Sequence, residues 1–157
     1  MIKIVTNTLL IALGLFLLSS CGQKAVYDEQ VTIENGKWFK DNPVHFEVDI
    51  SDTTRLYDYY LTIRHNTNYR YSNIYLFLTT RFPNDNVTRD TLECILAENT
   101  GKWLGKGYGS IKEDNILLRK NLKFPLKGKY DFYFQQAMRR DTLKDIVNLG
   151  IKIIESQ

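Results

Sequence analysis

Cysteine, histidine, proline and helical periodicity are all scarce in this chain. Of its 157 residues two are Cys, two are His and three are Pro. Two cysteines exclude a disulfide-dense scaffold. Two histidines, His45 and His65, outside any H-x-x-x-H spacing, give no zinc-ligand pattern. Charge of one sign is not in excess either, with Lys+Arg 21 against Asp+Glu 18 and a formal net charge of +3. Nucleic acid needs a concentrated basic face and is not expected as a partner. A charged fraction of 25% and a mean hydropathy of -0.32 exclude a polytopic membrane protein and a disordered tail.

Signatures of chemistry are missing as well. No G-x-S-x-G elbow occurs, and Gly109-Ser110 lacks the flanking spacing. The glycine-rich stretch from Gly101 to Gly109 lacks the order of a phosphate loop. Glu47 and Asp49 lie two residues apart, a spacing that reads as the solvated side of a strand rather than a pair of glycosidase carboxylates. We therefore expect no enzyme activity, no cofactor and no metal.

Aromatics, by contrast, are plentiful: ten Tyr, eight Phe and two Trp. They suit pleated, half-buried surfaces. Val44, Phe46, Val48 and Ile50 alternate with His45, Glu47 and Asp49, the pattern of a strand with one face buried. Residues 56–64 repeat it, with Tyr57, Tyr59, Leu61 and Ile63 on one face. Residues 74–80 follow with Ile74, Leu76 and Leu78. Residues 129–138 place Tyr130, Phe132 and Phe134 together. Residues 92–97 and 150–154 are further strands, and 26–33 and 116–124 show the pattern more weakly. Turn signals such as Asn35-Gly36, Asn42-Pro43 and Pro83-Asn84-Asp85-Asn86 separate them. About eight short strands at this spacing predict an all-β fold, an antiparallel β-sandwich that is jelly-roll-like. Residues 141–148 alone have helical character, with Asp141 as cap, Leu143, Ile146 and Val147 inward, and Gly150 beyond the end. One short helix near the C-terminus is expected there.

The opening of the chain has a different character. Lys3 precedes an apolar run over residues 9–18, and Leu18-Ser19-Ser20-Cys21 follows. The run is too short for a spanning helix, which needs about 20 residues, and it reads as a secretory signal peptide. The four residues at its end fit a bacterial lipobox. The thiol of Cys21 would take a diacylglyceryl group as a thioether, and a peptidase would cut before it. Two or more acyl chains anchor a protein stably to a membrane. We expect residues 1–20 to be the lipoprotein signal peptide, 21–26 a lipidated tether, and 27–157 the sandwich domain. Gly22-Gln23-Lys24 carries no acidic residue, which favours the outer membrane and a periplasm-facing domain. Cys94, in step with Leu92 and Leu96, reads as a buried inert thiol, and both histidines read as surface residues.

Candidate partner-binding residues come from two aromatic clusters and a basic pair. Trp103 and Tyr108 flank Gly105 and Gly107, either as cover for a glycine-containing strand or as a ligand platform. Tyr57 and Tyr59 belong to a Tyr/Arg-rich stretch that suits either an interface or sandwich-edge packing. Arg139 follows the strand ending at Met138 and either pairs with Asp141 or meets a partner. Platforms of this kind also suit sugars, so a carbohydrate-binding envelope lipoprotein is the alternative reading.

Several segments taken together resemble the GldH family of gliding-motility lipoproteins from Bacteroidetes. They are the lipobox at Cys21, Trp103-Leu104-Gly105-Lys106-Gly107-Tyr108-Gly109-Ser110-Ile111, Gly128-Lys129-Tyr130-Asp131-Phe132, Gln136-Ala137-Met138-Arg139, Leu143, and Asn148-Leu149-Gly150-Ile151. The resemblance covers nearly the whole chain. It implies an outer-membrane lipoprotein that works with other gliding and type IX secretion envelope proteins, with no catalytic residue carried over.

Cys21→Ser is expected to leave an unacylated precursor whose domain still folds. Mass spectrometry of the purified variant checks this, and acyl chains on it would show that the anchor lies elsewhere.

Overall fold

In the computed structural model, which describes residues 25–157, the period-two segments become ten strands. They are β1 (Ala25–Thr32), β2 (Lys37–Phe39), β3 (Val44–Ile50), β4 (Tyr57–Asn66), β5 (Asn73–Arg81), β6 (Val87–Ile95), β7 (Ile111–Leu122), β8 (Gly128–Gln136), β9 (Thr142–Lys144) and β10 (Ile146–Glu155). The expected signal peptide, Cys21 and the expected tether up to residue 24 lie outside the described residues.

All pairings are antiparallel. One sheet runs β1-β10-β4-β7 and the other β3-β8-β5-β6, while β2 and β9 form a small two-stranded ribbon. Counting only the eight long strands in chain order, the first sheet takes the first, eighth, third and sixth. The second takes the second, seventh, fourth and fifth. Successive strands thus alternate between layers except the fourth and fifth, β5 and β6, which pair as a hairpin, in the double Greek key of a jelly roll.

Each sheet hides one face against the other. In β3 the burial alternates without a break, with Val44, Phe46, Val48 and Ile50 inside and His45, Glu47 and Asp49 outside. Tyr130, Phe132 and Phe134 of β8 pack beside them, and Phe46 meets Phe134 edge-on at 6.0 Å. From the opposite layer Tyr59 contacts Phe132 at 5.3 Å, and Tyr57 contacts Phe124 at 5.5 Å. Cys94 is buried beside Leu96, and burial pushes its thiol up to about 12.

The expected helix over 141–148 is not formed. Thr142–Lys144 is β9, paired with β2 so that Leu143 lies opposite Trp38, and Ile146 already begins β10. Between them Asp145 adopts a left-handed φ of 69° and turns the chain. Leu143 and Ile146 both reach the core through that turn, reproducing the three-residue spacing that a helix would give.

β7 forms one edge of its sheet and is irregular at its end. Tyr57 lies opposite Leu122 and Tyr59 opposite Arg119, so β7 carries an extra residue there, and a second irregularity follows at Tyr60 and Leu117. Bulges of this kind twist an edge strand away from edge-to-edge pairing. Asn121 sits in the bulge with φ 54°. Its N–H donates to Asp58 Oδ1 at 2.9 Å, and the Ser156 hydroxyl donates to the same oxygen at 2.6 Å. The Ser156 hydroxyl first, and then the Asn121 amide, hold the Asp58 carboxyl below the usual carboxylate range.

Phe46→Ala is expected to remove about 3–5 kcal/mol, since it empties a packed site between the sheets. Urea denaturation measures the loss, and an unchanged midpoint would mean that this face does not bear on stability.

Candidate functional site

Strand direction sorts the candidate residues into two ends of the sandwich. Ala25 lies opposite Ile154, and Ile154 opposite Asp58, at the start of β4. Asn66, at the finish of β4, lies opposite Ile111. Nine residue steps of β4 separate the two ends by about 30 Å. The segment leading back to Cys21 therefore leaves from one end. Trp103, Tyr108 and Arg139 belong to the other, in the loops before β7 and after β8.

Tyr57 and Tyr59 require a correction. They are 2% and 3% exposed and lie between the sheets, so neither offers a surface to a partner. The alternation that groups them with Leu61 and Ile63 is the reason, because that face meets the opposite sheet. The Tyr57 hydroxyl donates to Asp52 O at 2.6 Å, and burial pushes the Tyr59 phenol well above its ordinary value.

His65 also departs from expectation. It continues the inward phase of β4 and is fully buried. One more step along 57, 59, 61 and 63 would have found it. Its Nε2 lies 3.2 Å from Asp114 Oδ2, and its Nδ1 lies 3.0 Å from Asn66 O. The ring sits between Tyr69, at 5.8 Å, and Trp103, at 4.5 Å. Asp114 shares its face of β7 with Ile116 and Leu118, and it too is buried.

Over this pair lies the glycine-rich loop. Trp103 bridges to Ala97, and Lys106 and Glu113 exchange backbone hydrogen bonds of 2.9 and 2.8 Å. These fix the loop against the start of β7. A Cβ on Gly105 would stand 2.6 Å from Asp114 Oδ2 and 3.0 Å from Glu113 O, so only glycine lets the two backbones approach. Trp103 thus spends one face on His65, whereas Tyr108 stands wholly in solvent at 103% exposure.

Arg139 is exposed on a loop that is held from below. Buried Gln136 donates from Nε2 to Arg140 O at 2.7 Å and accepts from the Met138 N–H at 3.0 Å. Beside it a recess of about 420 Å³ is walled by Arg70, Tyr71, Arg140 and Lys144. This end therefore presents cations and aromatic rings on loops pinned by buried polar groups, an arrangement suited to contacting another macromolecule.

The carboxylates and histidines do not gather into one site. Glu47 lies on the open face of β3 and pairs with Lys129 at 2.8 Å. His45 faces Asp131 at 2.7 Å on the same outer surface and stacks on Tyr133. Among the described residues no group of three His, Cys, Asp or Glu is placed to hold a metal ion.

Gly105→Ala is expected to lower stability by about 1–3 kcal/mol through overpacking against Asp114 and to expose Trp103. A lowered melting temperature with red-shifted tryptophan emission would show it. Unchanged values would mean that the loop is not tightly seated.

Comparison with known proteins places the chain in a family. A family model described as GldH lipoprotein matches residues 25–153. A gliding motility lipoprotein GldH homolog of Christiangramia forsetii is 41% identical over 149 residues, covering 90% of this chain and 91% of that protein. The gliding motility lipoprotein GldH of Flavobacterium johnsoniae is 31% identical over 156 residues, covering 95% and 96%. Among solved structures, a family 35 carbohydrate binding module from Clostridium thermocellum aligns with a TM-score of 0.38 at 12% identity, over 83% of this chain and 98% of that one. That likeness is too distant to carry a ligand or a role. On the sequence matches, this chain belongs to the GldH family of gliding-motility lipoproteins.

Proposed function

We propose that the sandwich is a non-catalytic interaction subunit of the gliding machinery. Lipid on Cys21 holds it at the outer membrane, facing the periplasm, and its far end docks other gliding or type IX secretion envelope proteins. The observation that carries this reading is the separation of the two ends. The chain leaves towards Cys21 from the start of β1, about 30 Å from the loops bearing Tyr108 and Arg139. A body held at one end presents the other outward. Tyr and Arg are the residue types that most often carry interface energy, because each joins a large contact area to a polar tip.

The pinned loops support the same reading. Gln136 beneath Arg140, and the Lys106–Glu113 bridge beneath Tyr108, hold these loops before any partner arrives. Less ordering entropy is then lost on binding. The absence of acidic residues just after Cys21 is what favours retention facing the periplasm.

Affinity capture from gently solubilised envelopes tests the proposal. The tagged native protein is expected to recover gliding or secretion components. The Tyr108→Ala, Arg139→Ala double variant, with an unchanged melting temperature, is expected to recover about tenfold less or lower still. Capture of no such component by the native protein would sink the proposal, and equal capture by the variant would move the docking surface elsewhere.

A further inference from the structure

The end of the sandwich nearest Cys21 carries a second basic feature that docking at the far end leaves unused. From residue 115 to residue 130 there is no Asp or Glu, yet Arg119, Lys120, Lys123 and Lys127 are all exposed. They run along the finish of β7 and the loop into β8. Most acids elsewhere at this end are already matched, and Asp90, which lines one recess with Arg119, is a single carboxylate against four cations. Arg55 takes Asp52 and Glu155, Arg81 faces Asp85, and Lys129 takes Glu47 while lying near Asp49. Asp58 lies within electrostatic reach of Lys120, but it is buried and committed to Ser156 and Asn121. Residues 119–127 therefore keep an excess of positive charge among the described residues.

Distance then decides what can meet it. β1 and β7 are the two edges of one sheet, three strand spacings apart, or about 14 Å. Leu122 lies opposite Tyr57 and Ala25 opposite Ile154, so both edges reach this end together. Cys21 is four residues before Ala25 and lies within about 14 Å of it even in a fully extended chain. Acyl chains on that residue would bring this end against the headgroups, close to the screening length of about 8 Å at physiological salt.

We infer that Arg119, Lys120, Lys123 and Lys127 form a contact surface for anionic phospholipid headgroups, which orients the anchored domain on its bilayer. The bulge at Asn121, pinned by Asp58, turns β7 so that it offers these side chains rather than a pairing edge. This rests on the proposed anchor at Cys21 but not on any partner at the far end. Each lysine near an anionic surface adds about fivefold to the preference for it.

The test uses the mature acylated protein in nanodiscs of phosphatidylcholine alone or containing phosphatidylglycerol, with amine labelling read by mass spectrometry. Lys120, Lys123 and Lys127 are expected to label about fivefold more slowly, or slower still, when phosphatidylglycerol is present, and added salt restores the rate. Lys102 and Lys106 at the far end are expected to label equally in both. Equal labelling of the three lysines in the two lipids would overturn the inference while leaving the anchor intact. Protection at Lys102 and Lys106 instead would reverse the orientation. Failure of the protein to enter nanodiscs at all would remove both the inference and the anchor.

Discussion

With no α-helix among the described residues to cover either layer, each four-stranded sheet can leave water only by closing on the other. Most large side chains that stabilise the domain are therefore drawn from an inner face, joined by Trp38 and Leu143 of the small ribbon. Phe46, Phe134, Tyr130 and Ile50 come from one layer, and Leu61, Ile63, Ile151 and Ile153 from the other. A β-sandwich core is about 10 Å thick, and rings and branched chains from the two faces interdigitate to fill it. The outer faces and both ends are left free for charge, which is where the exposed cations and Tyr108 are found.

That same closure explains how much of the fold was legible. β3, β4, β5 and β8 were readable because each has one wet face and one dry face, so that apolar and polar residues alternate. β6 was half visible. Its first residues, from Val87 to Thr91, are exposed on both faces at a sheet edge and carry no alternation. The segment 141–148 misled for a different reason. Two short strands joined at left-handed Asp145 bring Leu143 and Ile146 inward at a spacing that a helix shares. Only the pairing of β9 with β2 across the chain separates the two, and no local pattern contains that information.

Legibility of the candidate surface divides in the same way. Tyr108 and Arg139 could be singled out because one lies in a glycine-rich stretch and the other just past the alternation of β8, and both are exposed. Tyr57 and Tyr59 show the reverse, since tyrosine is as apt for a core as for an interface, and strand phase was the better guide. His65 and Asp114 escaped notice because polar residues were assumed to face water. Their phases on β4 and β7 predict the contact, and the crowded contact of Gly105 with Asp114 shows why glycine recurs in the loop above.

The pairing of β1 with β10 has a mechanical meaning in a protein of a motility apparatus. β1 is both the strand nearest the proposed anchor and an edge strand held only by β10, through seven paired positions from Ala25 to Thr32. Antiparallel hydrogen bonds lie perpendicular to the strands. A pull between the tether and the far end runs along β1, so it loads these bonds in shear, all together, rather than peeling them one by one. The geometry that puts the proposed anchor and the loops at opposite poles thus also lets the sandwich transmit tension along its length.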